Sequence, residues 1–188
     1  MSNNYAFIDG NNLYLGAKKQ RINLDYKRLR IYLADKFNAE KVFLFIGFDP
    51  HHTELYTRLQ ESGLILVHKP TVAYIENGIR KMKGNVDAEL VLYAAAIEYK
   101  NYDKAIIVSS DGDFACLAKF LVSKKKLGKI ITPTKSYSKL LRPFAEHILP
   151  LSTIKDKVTK TTQRPHKDQE KIKPAFAFGR NLKLVRLW

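Results

Sequence analysis

The run Ala105-Ile106-Ile107-Val108 constrains this chain more than any other stretch: four apolar residues, three of them β-branched, with no polar alternation. A strand of that kind is covered on both faces, the condition of a parallel sheet held between two layers of helix. Tyr5-Ala6-Phe7-Ile8, residues 41–48, Leu64 to Val67 and Gly128 to Ile131 read as further strands, and Ile148-Leu149 as a short sixth at an edge. Helical patterns alternate with them. Leu29, Leu33 and Phe37 recur at intervals of four after Asp25, residues 54–62 form a helix that Gly63 ends, and Leu90, Val91, Ala94 and Ile97 share one stripe of a helix over 86–99. Phe114, Leu117, Ala118 and Leu121 mark another, with Cys116 on its apolar side as a small core residue, and Lys139 to Glu146 is helical up to an interruption at Pro143. Residues 70–85 are expected to be an irregular basic loop. Strands alternating with helices predict an α/β sandwich whose sheet is mainly parallel, with five or six strands.

Charge divides the chain. Of the formal net charge of +15 over 188 residues, the stretch 155–188 alone carries +7. An excess of this size attracts polyanions, of which nucleic acid is the commonest in the cytosol; the alternative use is solubility. Residues 1–154 are therefore expected to form the globular domain, 155–174 a basic polar linker, and 175–188 an apolar terminal segment that can form a hairpin around Gly179-Arg180-Asn181. Phe176, Phe178, Leu182, Leu184, Leu187 and Trp188 need cover, which is expected from a neighbouring subunit and hence from a homo-oligomer, with docking on the chain's own domain as the alternative. The single cysteine excludes an internal disulfide, Met1-Ser2-Asn3-Asn4 lacks the order of a signal peptide, and no apolar run approaches a membrane span. A cytoplasmic, reducing location is the expectation.

In an open α/β sheet the functional groups gather beyond the carboxyl ends of the strands. Asp9 follows the first strand, Asp111 and Asp113 follow the strand ending at Val108, and Asp87 lies in the first turn of a crossover helix that starts at the same edge. Each acid singly also fits a helix cap or a turn. Together they crowd negative charge, which needs protons or a cation, and an oxygen-only donor set favours Mg²⁺ or Mn²⁺. Phosphate-loop, dinucleotide-binding and nucleophile-elbow motifs are absent from the sequence. His51-His52 reads as a polar loop pair and not a zinc site.

Asp9-Gly10-Asn11-Asn12-Leu13, Lys81-Met82-Lys83-Gly84-Asn85-Val86-Asp87 and Ser109-Ser110-Asp111-Gly112-Asp113-Phe114 resemble, in order and spacing over residues 4–151, the NYN domain family, in particular its LabA-like branch. The resemblance implies a PIN-like three-layer sandwich, an acidic site binding Mg²⁺ or Mn²⁺, and ribonuclease activity. The family's D-G-x-N falls on Asp9 and Asn12, its K-G-x-D on Lys83, Gly84 and Asp87 with Asn85 as an additional residue, and its S-x-D-G-D-F on Ser109, Asp111 and Asp113. On this reading Asp9, Asp87 and Asp111 hold the metal, Asp113 orients water or a second ion, Asn12 and Ser110 bond water or phosphate, and Arg80 and Lys83 grip an RNA strand. Tyr14, Tyr74 and Tyr137 are candidates for stacking bases, and Lys124-Lys125-Lys126 fits either a helix C-terminus or a ligand. A catalytically silent RNA-binding or scaffolding module on the same fold is the main competitor. A small-molecule phosphatase is the third reading, and it leaves the basic arm unexplained.

Overall fold

The computed structural model describes residues 3–160 apart from 71, 77–78 and 84–85, with the side chains over 70–85 outside the description. Six strands form one sheet: β1 (Asn4–Asp9), β2 (Ala39–Phe48), β3 (Ile65–Pro70), β6 (Ala105–Val108), β7 (Leu127–Thr132) and β8 (Ile148–Pro150). All its pairings are parallel and the order is β3-β2-β1-β6-β7-β8. The chain thus works outward from β1 through β2 to β3, then returns to β6 and works outward on the other side, so the order reverses between β1 and β6. That gap is where such sheets place their sites.

Successive residues of the central strands point to opposite faces, and both faces are packed. Ala6, Ile8, Ile106 and Val108 join Leu13 and Ala17 of α1 (Gly10–Lys19), Leu29 and Leu33 of α2 (Tyr26–Phe37) and Leu59 of α3 (Thr53–Glu61) in one core. Tyr5, Phe7, Ala105 and Ile107 join Leu90 of α4 (Asp87–Leu92) and Leu117, Ala118 and Leu121 of α5 (Ala115–Ser123) in the other. Three layers result, as the unalternating strands require. Asp25 caps α2 by accepting from the Arg28 N–H at 3.1 Å, and α3 ends before Gly63, whose φ of +82° suits glycine.

Four expectations change. Residues 70–85 contain an antiparallel pair, β4 (Val72–Glu76) and β5 (Ile79–Lys83), in place of an irregular loop. The residues between the strands are Asn77 and Gly78, a pair with a strong preference for tight hairpins. The expected helix over 86–99 is α-helical only to Leu92 and continues as a π turn over Tyr93–Ile97. Its Glu98 N–H donates to the Tyr93 carbonyl at 2.9 Å, and the Tyr102 hydroxyl holds the Ala94 carbonyl. The extra residue in the turn rotates Ile97 off the stripe, leaving it 51% exposed. Cys116 is exposed, because the buried stripe of α5 runs through Leu117, Ala118 and Leu121 and passes it by. Finally, the first residues expected as linker form α6 (Lys155–Val158). Val158 is fully buried against the first core, its carbonyl accepts from the Asp25 N–H, and Thr159 bridges Leu24. One apolar side chain among charges is enough to anchor the stretch.

Lys126 settles the lysine run. Helix α5 closes at Lys124, Lys125 takes a left-handed φ of +56°, and Lys126 turns back into the protein. Its ammonium donates to the Tyr99 carbonyl at 2.8 Å and to the Tyr102 carbonyl, and sits 4.7 and 4.6 Å from the two ring centroids. Lys126→Met keeps the stem but strands those carbonyls. The expected loss is about 2–3 kcal/mol, read as a lowered urea midpoint at unchanged slope. Lys124→Met is expected within about 0.5 kcal/mol of the parent, as for most surface substitutions.

Candidate active site

The ladder between β1 and β6 ends with Ile8 beside Val108, so the next residues, Asp9 and Ser109, emerge level with each other at the switch point. Both are buried, Asp9 at 4% exposure. Asp9 leaves the strand in an extended conformation and caps α1, its Oδ1 accepting from the Asn12 N–H at 3.0 Å. The positive end of α1 offsets part of the cost of that buried charge. The Ser109 hydroxyl donates to Asp9 Oδ2 at 3.4 Å while its oxygen accepts from the Asp111 N–H at 3.1 Å. One hydroxyl therefore ties the two acid-bearing segments together.

Asp111 caps the 3₁₀ turn Gly112–Phe114, its Oδ1 accepting from the Asp113 N–H at 3.1 Å. The turn is pinned on two sides. Phe114 is buried in the second core, and a Cβ on Gly112 would lie 2.3 Å from Ser138 Oγ, so a larger residue there would have to displace Ser138. Asn12 Oδ1 accepts from both the N–H and the hydroxyl of Ser110, at 3.0 and 2.9 Å, and the Ser110 carbonyl accepts from the Ser138 N–H at 3.1 Å. Asn12 and Ser110, expected to meet solvent or phosphate, are thus bonded to each other and lock α1 to the loop after β6.

Asp113 is exposed on the outer side of the turn, and Asp87 is half-buried as the first residue of α4. Helix α4 packs against β1 and against the Gly112–Phe114 turn, which brings its start to the same edge. Glu89, in the same first turn, pairs with Lys69 at the end of β3, at 3.0 and 3.1 Å to its two oxygens. That pair was not anticipated from sequence. Among the described residues, no three His, Cys, Asp or Glu side chains gather closely enough to form a metal cluster. Arg80 and Lys83 belong to β5, but their side chains, like that of Tyr74, lie outside the described residues, as do Gly84 and Asn85.

Of the tyrosines expected to stack bases, Tyr14 and Tyr137 are half-buried. Tyr137 packs against the second core, and Tyr14 against the first. The aromatic residue that is 40% exposed at this edge is Phe48, at the end of β2, stacked on Tyr56 at 5.7 Å and met edge-on by His68 at 5.5 Å. Burial lowers the His68 pKa, so the ring stays neutral at physiological pH. His51 and His52 form a 3₁₀ turn with Pro50, His52 lying 3.7 Å from Asp49.

The family model described as the NYN domain matches residues 5–152. No functionally curated protein matches the sequence. The crystal structure of a protein of unknown function from Vibrio parahaemolyticus is similar at a TM-score of 0.65 and 21% identity, over 85% of this chain and 96% of that one. At that identity the likeness concerns the fold alone: a six-stranded parallel sheet with helices on both faces. Among the described residues no helix is long and apolar enough to cross a membrane.

Proposed function

Since this chain belongs to the NYN domain family, a family of nuclease-like, RNA-binding domains, we propose that it is a ribonuclease of the LabA-like branch. It hydrolyses RNA phosphodiester bonds with Mg²⁺ or Mn²⁺ bound among Asp9, Asp87, Asp111 and Asp113. The observation that carries the reading is the Ser109 bridge, which joins a buried carboxylate, Asp9, to the segment of a second, Asp111, at the point where the strand order reverses.

The donor set fits a hard divalent ion in kind. It is oxygen-only, and Mg²⁺ commonly uses one or two carboxylates and completes its shell with water and substrate phosphate, so a protein-only cage of three is not required. When bound, such an ion lowers the pKa of water and offsets charge developing on the phosphate. The chain's own residues do the rest. Asp9 and Asp111 hold negative charge in fixed positions, Asp87 adds to it from the start of α4, and exposed Asp113 orients water at the mouth. Asn12 and Ser110 keep α1 and the 109–114 segment in register beside the acids, and the Asn12 side-chain amide faces substrate. Arg80 and Lys83 supply cations for the RNA backbone, and the basic stretch beyond 155 adds more.

A second reading is an RNA-binding module without cleavage: Asp9 and Asp111 each already cap a helical turn, a role that needs no metal. Incubating the full chain with end-labelled single-stranded RNA separates them. Cleavage with Mn²⁺ or Mg²⁺ and none with chelator is expected, together with binding that weakens on salt addition by about 0.7 log units per log unit of salt for each phosphate contact. Binding without cleavage under every metal condition assigns the second reading. Neither binding nor cleavage removes both.

A further inference from the structure

On the face of the sheet that carries α1–α3, a cavity of 440 Å³ opens with Tyr14, Leu24, Tyr26, Leu55 and Leu59 among its walls, and Lys160, where the described chain ends, on its rim. A cavity of this volume is in the range that encloses a drug-sized molecule. We infer that it is the seat of the apolar segment 175–188 of the same chain.

Two observations lead there. The chain reaches the cavity by itself: Thr159 bridges Leu24 on the cavity wall, and the Lys160 N–H donates to the Asn23 carbonyl at 3.2 Å. From that rim, residues 161–174 can span roughly 45 Å when extended, so the segment reaches the opening easily and at millimolar effective concentration. Second, the apolar residues match the walls in kind. Phe176 and Phe178, and Leu182 and Leu184, are spaced two apart, the spacing that puts pairs on one face of an extended strand.

Charge opposes the seating and so provides a signature. Arg180, Lys183 and Arg186 of the segment meet Lys18, Arg58 and Lys160 around the cavity, three cations against the one carboxylate of Asp25. Salt screens that repulsion and tightens the seat, the reverse of its effect on RNA binding.

Trp188 is the only tryptophan, so its emission in the full chain reports on the segment directly. The expected result is blue-shifted emission and protection from acrylamide, increasing with salt, at concentrations where sedimentation shows a monomer. Ser62→Phe, which fills the cavity from the end of α3, and Leu55→Glu, which charges its wall, are each expected to raise quenching several-fold. Ser62→Phe decides the matter if the charged variant does not fold. Water-like emission in the parent overturns the inference. So does protection that neither variant changes, and protection that appears only as dimers form assigns the seat to a second copy.

Discussion

Asp9→Asn and Asp111→Asn are each expected to lower metal-dependent RNA cleavage by about 10²–10³-fold or more, the scale of removing one fixed electrostatic group from a preorganised site. Stability should move by no more than about 0.5 kcal/mol for Asp111→Asn and fall by about 1 kcal/mol for Asp9→Asn, whose buried Oδ2 accepts from the Ser109 hydroxyl. The two halves of this expectation come from different atoms of the same side chain. Asp9 Oδ1 caps α1 through the Asn12 N–H, and Asp111 Oδ1 caps the 3₁₀ turn through the Asp113 N–H. An asparagine oxygen performs either cap about as well as a carboxylate. What the amide removes is the charge, and with it the capacity to hold a divalent ion. Cleavage assays on protein freed of contaminating nuclease, with urea denaturation on the same samples, read both quantities. Undiminished cleavage in either variant takes that residue out of the site. Loss of activity together with loss of several kcal/mol makes it a folding residue instead.

Phe114→Ala is expected to cost about 3–5 kcal/mol, as for other fully buried aromatic residues. That is a large fraction of the roughly 5–15 kcal/mol that holds a domain together. Phe114 is 1% exposed and packs in the second core with Leu117, Leu121 and Leu141, directly after the segment that carries Asp111 and Asp113. The same ring thus stabilises the domain and fixes the acidic turn. Phe114→Leu retains most of the apolar volume and should remain folded while lowering cleavage, because the turn loses its tight anchor. A loss below about 1 kcal/mol for the alanine variant, by urea denaturation, would mean that the turn is held by its hydrogen bonds and not by the core.

The frame of the fold was readable because its strands are sandwiched. Ala105 to Val108 and Tyr5 to Ile8 have no polar face, and only a parallel sheet between helices buries both sides of such segments. Even the break near Pro143 was legible, and Phe144 is where the helical geometry fails. The π turn after Leu92 was not. The stripe through Leu90, Val91, Ala94 and Ile97 matches an ordinary helix, and the element that reshapes it, the Tyr102 hydroxyl, arrives from outside the helix. The hairpin at 72–83 was signalled by Asn77-Gly78, a signal outweighed by the density of basic residues around it.

The acids of the site could be assigned to one edge from strand ends alone, since a carboxyl edge follows from direction without any coordinates. Their connections required register. Ser109 and Ser110 are chemically identical neighbours, and sequence reasoning chose Ser110 for a substrate contact. Only the pairing of Ile8 with Val108 reveals that Ser109 is the one level with Asp9, and that Ser110 turns toward Asn12. Lys126 was likewise indistinguishable from Lys124 and Lys125 until the two tyrosines beneath it were placed.

The reversal of strand order between β1 and β6 also sets a clock on the protein's own synthesis. Asp9 and Ser109 are 100 residues apart in sequence yet meet in one hydrogen bond. At ~5–20 residues per second, the second half of that pair leaves the ribosome roughly 5–20 s after the first. Through that interval β1 has β2 available on one side and an unfilled edge on the other. A growing chain therefore holds its first acid with no partner segment to complete the centre. The site comes into being only once the segment after β6 has been made, so a fragment interrupted before β6 carries no assembled site, however well its first three strands have formed.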